Sequence, residues 1–133
     1  MKAITMLAVA MAVAAGLASG GAEAADAAAG EKVFNRCKAC HDATKGGPHR
    51  VGPNLFGVVG RKCGSTDFPR YSAGMKACAE AGGVWDETTL PNYIPDAAKY
   101  LEKTHGKRGQ GMIPQMMSEA DMANLVAYLR TLK

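Results

Sequence analysis

The sequence predicts an all-α domain, and three observations carry that reading. An apolar stripe recurs at helical spacing near the C-terminus, a capped helix-forming stretch leads into a cysteine motif, and the middle of the chain shows no strand alternation. Taken in order, Asp26 offers an N-cap to "AAAGEKVFNRC", with Ala and Glu as helix formers and Val33 beside Phe34, so a helix is expected to run into Cys37. From Gly46 to Gly83 glycine is frequent, Pro48, Pro53 and Pro69 interrupt, and no period is sustained, which reads as a long loop region. Such a loop is unusual in a compact domain unless it wraps something. "WDETTLPNYIPDAAKYL" reads as two short helices, Pro91 in the first turn of one and Pro95 starting the other. "THGKRGQGMIPQMM" is a second punctuated loop. The last helix is the clearest: Ser118 and Asp121 make a capping-box pattern before Met122, Leu125, Val126 and Leu129 at i, i+3, i+4, i+7.

The N-terminus is read differently. Lys2 precedes an apolar run through Ala10 and Val13 to Leu17, closed by small residues at Ala22 and Ala24, the pattern of a removable secretory leader over residues 1–24. The run is shorter and richer in Ala and Gly than the roughly 20 residues a bilayer span needs, so stable membrane insertion is not expected after processing. No twin-arginine pair precedes it, which favours export as an unfolded chain. Residues 25–133 then form one domain on the usual length prior. Its core has only eight aromatics, and a large apolar cofactor would add to it. Lys2 and Glu23 leave together, so the net charge of +4 survives processing and suits acidic protein partners, while nucleic acid is not expected in an exported compartment.

The chemistry concentrates in "CKACH", Cys37 to His41. A thioredoxin-type dithiol needs a preceding strand in a βαβ context, which neither flank offers. A structural zinc site needs four ligands, and Cys63 and Cys78, fifteen apart, are not a second CxxC. Covalent haem needs two thiols one helical turn apart to add across two vinyl groups, with a histidine beside the second to reach the iron, and all three residues are present.

With that motif the chain resembles the class I cytochromes c, most closely the cytochrome c2 and mitochondrial-type branch. "CKACH" is followed eleven residues after His41 by "GPNLFG" and then "GVVGRK", and the spacing of Trp85, Leu90, Tyr93, Lys99 and Tyr100 is similar to the family's. Gly30 and Phe34 near one end, with Leu125 and Tyr128 near the other, match the family's crossing of terminal helices. The resemblance implies the small cytochrome c fold: terminal helices crossing around one covalently bound haem c, with long irregular loops. It implies thioethers at Cys37 and Cys40, iron ligation by His41, and a hydrogen bond that orients His41 through the carbonyl of Pro53. Arg61, Tyr71 and Trp85 stand where the family has donors for the haem propionates, carboxylates that are costly to bury unpaired. Tyr93 matches a tyrosine near the sixth ligand.

For that sixth ligand the expectation is Met112, because "MI" after a Gly- and Lys-containing loop resembles the family's segment and sixteen residues separate it from Tyr128. Met116 is the next candidate, and Met117 stands beside the cap Ser118, where an apolar residue more often staples a helix end. The approach to Met112 departs from the family: the loop is longer, and Pro114 stands where an aromatic is common. Cys63 and Cys78 also lie outside the family pattern, and as the two thiols left after haem attachment in an oxidising compartment they are expected to pair.

The function this implies is an exported, periplasmic one-electron carrier, monomeric and not an enzyme, that docks acidic surfaces of redox partners. Lys32, Lys38, Lys45, Lys99, Lys103, Lys107 and Arg108 are the cations expected to border the haem edge. The competing reading is a haem enzyme or gas sensor of peroxidase type with an open sixth position. His49 and His105, the spare histidines, are expected to be solvated rather than distal.

Overall fold

The structure is a computed structural model describing residues 24–109 and 111–133; the expected leader, save Ala24, lies outside the described residues. Five helices make the architecture: α1 (Ala27–Phe34), α2 (Ala73–Glu80), α3 (Thr89–Tyr93), α4 (Ala97–His105) and α5 (Glu119–Thr131). Among the described residues there is no strand, only an isolated antiparallel bridge between Lys62 and Val84.

The terminal helices start on the caps the sequence offers. Asp26 accepts from the backbone N–H groups of Ala28 and Ala29, and Ser118 Oγ accepts from that of Asp121. They cross at Gly30, which is buried because a Cβ there would overlap the carbonyl group of Asn124. Phe34 and Tyr128 stack at this crossing, 5.2 Å between ring centroids. The buried residues of α5 are Met122, Leu125, Val126 and Leu129, the predicted stripe. With Phe34, Leu90, Ile94 and Leu101 they form one apolar core.

The long loop expected over 46–83 is interrupted by α2, capped by Ser72, whose Oγ accepts from Met75 N–H at 3.1 Å. Pro95 does not start α4; Asp96 caps it, accepting from Lys99 N–H at 3.1 Å, and Pro95 lies one residue outside. Cys63 and Cys78 are joined in a disulfide, buried at the base of α2. It lies beside a short antiparallel pairing in which Trp85 N–H donates to Arg61 O (2.9 Å) and Cys63 N–H to Gly83 O (2.9 Å). Gly83 has no room for a side chain, since a Cβ would press on both sulfurs.

Candidate haem site

Between these helices and loops lies a cavity of about 520 Å³, of the size that cofactor sites take. Its walls bring together Cys37, Cys40 and His41 from the turns after α1, Pro53 from the following loop, Arg61 and Trp85 from the bridge region, Tyr71 from just before α2, Tyr93 from α3, and Met112. All nine predicted site residues thus line one space. The remaining walls are mostly apolar, with Phe34, Leu55, Val58, Leu101, Leu125 and Leu129 among them.

The attachment turn is tight. Cys37 N–H donates to Phe34 O (2.8 Å) and His41 N–H to Cys37 O (2.9 Å), which hold both cysteines and the histidine on successive turns. Cys37 and Cys40 carry free thiols, and burial pushes the Cys37 thiol above its ordinary value, so it stays neutral. His41 Nδ1 donates to Pro53 O at 2.7 Å, which leaves Nε2 with its lone pair. Burial, and after it the nearby Arg61 cation, hold the imidazole below its ordinary pKa against the pull of the Pro53 hydrogen bond. A ring held neutral with Nε2 bare is prepared for a metal. Gly52 packs on it so closely that a Cβ would overlap the imidazole.

Met112, also in the cavity wall, is half-buried against the core, whereas Met116 is 73 % exposed and Met117 faces a separate groove beside α5. Trp85 and Tyr93 stack at 4.5 Å, and neither the indole N–H nor the phenol makes a protein hydrogen bond among the described residues. Burial drives the Tyr93 phenol well above its ordinary pKa, so it remains a donor. Arg61 is only partly available: its guanidinium donates to the carbonyls of Asn54 (3.1 Å) and Phe56 (3.2 Å). Tyr71 Oη pairs with Thr66 Oγ1. Apolar walls, two unpaired thiols, a bare imidazole nitrogen, a thioether and spare N–H and O–H donors together fit a haem.

Two features escaped the sequence. His49, expected to be solvated, has its side chain only 24 % exposed and engaged at both nitrogens: Asn54 N–H donates to Nδ1 (3.0 Å), so Nε2 carries the hydrogen given to Asp67 (2.6 Å). Because Pro53 O and Asn54 N–H belong to one peptide unit, His49 steadies the group that orients His41. Among cations, Arg36 and Arg70 join the predicted Arg61 in the cavity wall, while the seven expected to border the haem edge are exposed and none forms that wall.

The Cytochrome c family profile matches residues 27–133. Cytochrome c2 from Pararhodospirillum photometricum is 42 % identical over 83 % of this chain and all of its own length. Cytochrome c-554 from Methylosinus trichosporium is 41 % identical over 97 % of this chain and 92 % of its own. The crystal structure of cytochrome c2 from Rhodobacter sphaeroides superposes with a TM-score of 0.73 at 37 % identity, covering 81 % of this chain and 96 % of that one.

Proposed function

The chain belongs to the cytochrome c family, and from that premise we propose how its own residues serve electron transfer. It carries one covalently attached haem c and works as a one-electron carrier between redox proteins. When bound, the haem supplies a reversible exchange between ferrous and ferric iron. Cys37 and Cys40 would anchor it as thioethers and His41 would give Nε2 to the iron, while Pro53 O holds that ring in place through Nδ1. Met112 would give its thioether as the second protein ligand, and a sulfur ligand favours the reduced state relative to nitrogen. Trp85, Tyr71 and the remaining donors of Arg61 would serve the propionates, which would otherwise be buried without partners, and Tyr93 would stand near the sixth ligand. The apolar walls exclude water, so little solvent reorders when the charge changes.

The observation that carries this reading is the single cavity whose wall includes Cys37, Cys40, His41 and Met112 together. An open sixth position on the peroxidase pattern has no support: both nitrogens of His49 are engaged, and the ring of His105 packs on Tyr100. The leader over residues 1–24 directs the chain to the periplasm, where it acts as a monomer. Its exposed cations, with the apolar Val51 and Ile113 at the mouth of the cavity, meet acidic surfaces on its partners. Two measurements test the proposal. Carbon monoxide added to the reduced protein at neutral pH should leave the visible spectrum nearly unchanged, and immediate full conversion would mean an open iron. Reduction by an acidic partner should slow as salt rises from low to high, because exposed charges are screened beyond about 10 Å at 0.1 M salt; a salt-independent rate would remove the steering claim.

A further inference from the structure

The loop that carries Met112 is unevenly fastened. Its beginning is well held: Gly106 ends α4 in a left-handed conformation (φ 72°), Arg108 pairs with Glu102 at 2.9 Å, and Gly109 is buried against Leu101. Residues 111–117 are not. None of them is buried, Ile113 and Met116 are 69 % and 73 % exposed, and Pro114 has no N–H to give. Among the described residues two hydrogen bonds tie this segment to the rest of the chain: Gln115 N–H to Ile94 O (3.3 Å), and Arg36 Nη1 to Met116 O (3.1 Å). The second spans 80 positions in sequence. Segments with few buried contacts and exposed hydrogen bonds are those that open locally.

Arg36 is built for a different purpose from an ordinary surface cation. It stands between the cap of α1, Asn35, and Cys37, where its own N–H donates to Val33 O (3.3 Å), so its base shares the rigid turn that anchors the haem. Among the described residues no carboxylate pairs with it, and its side chain forms part of the cavity wall. Among the described residues its side chain makes one hydrogen bond, a solvent-exposed one to the loop carbonyl of Met116, four residues beyond Met112.

We propose that Arg36 is a positioning residue, a latch that holds the Met112 loop closed over the iron and sets how often the sixth position opens. This rests on Met112 being the ligand. Loop opening then precedes any exchange of the methionine for an outside ligand, and losing the latch speeds exchange without weakening the fold as a whole.

The test is stopped-flow uptake of imidazole by the ferric holoprotein, at concentrations where the rate saturates and so reports loop opening. A hydrogen bond of ordinary net worth, at a factor of ten per 1.4 kcal/mol, predicts that Arg36→Met, which keeps the apolar stem and removes the donors, raises the limiting rate roughly two- to tenfold. Arg36→Lys, which retains a cation with shorter reach, should fall between that variant and the unaltered protein. The denaturant midpoint should stay close to that of the unaltered protein in both. Unchanged limiting rates in Arg36→Met overturn the latch, and so does a rate increase matched by a general loss of stability. The near-infrared band of methionine on ferric haem, recorded in Met112→Ala, separates the two failures. Its loss there leaves the ligand assignment standing while the latch is judged on the rates; its survival overturns the assignment and the latch together.

Discussion

At the scale of single residues, the site depends on atoms that leave no room and on donors that leave no choice. Gly52 touches the His41 ring so closely that Gly52→Ala must push the imidazole off the line set by Pro53. An overpacked contact of this kind costs about 1–3 kcal/mol, so denaturant unfolding should show a loss of that order with a perturbed Soret spectrum. Asp42, next to His41, makes the second prediction. The side-chain and backbone hydrogen bonds of Thr44 hold its carboxylate below the ordinary range. A carboxylate so depressed binds fewer protons folded than unfolded, so its contribution is complete above its unfolded value, near pH 4, and fades as pH falls through the lower folded value. Asp42→Asn should therefore be less stable at neutral pH and lose less on acidification; equal acid sensitivity in both proteins would contradict this. Cys37, Cys40 and His41 were legible because their spacing is the chemistry, and Pro53 through the resemblance of "GPNLFG" to the family's segment. His49 was not, since its partners Asn54 and Asp67 lie 5 and 18 positions away and no local pattern announces them.

Helices differ in how plainly they announce themselves. α1 and α5 carry both a cap and a buried face, so each signal supports the other. α2 was missed because "AGMKACAE" has a glycine inside it and two just after it and buries only Gly74, Met75 and Cys78; the capping hydroxyl of Ser72 was the available signal. α3 is likewise started by a side chain rather than announced by periodicity, with the Asp86 carboxylate accepting from the N–H groups of Thr88 and Thr89 (2.8 Å each). The crossing of α1 and α5 is where an element-level substitution should be felt most. Gly30→Ala would drive the helices apart at Asn124 and Tyr128, at a cost of about 3 kcal/mol, the upper part of the usual overpacking range. Urea unfolding of the holoprotein measures it, and a change under 1 kcal/mol would mean that the helices separate with less resistance than this packing allows.

Over the whole molecule, a modest core is shaped around a cofactor and closed by one covalent brace. The Cys63–Cys78 bridge secures α2 against the segment that presents Arg61 and Trp85 to the cavity. Replacing both cysteines by serine should lower the unfolding free energy by about 3 kcal/mol on the chain-entropy estimate for a loop of this length. An unchanged midpoint would assign the bridge no part in stability. The pairing itself was legible by subtraction, once CKACH claimed the other two thiols, whereas its place under α2 required the fold. The proposed function turns on His41 and Met112, both in the wall of one cavity, holding the iron together. The most direct measurement is the near-infrared absorption of the ferric protein, compared among the unaltered chain, Met112→Ala and Met116→Ala. The account predicts the weak methionine–iron band in the unaltered protein and in Met116→Ala and its loss in Met112→Ala; a band that persists in Met112→Ala and disappears in Met116→Ala would contradict it.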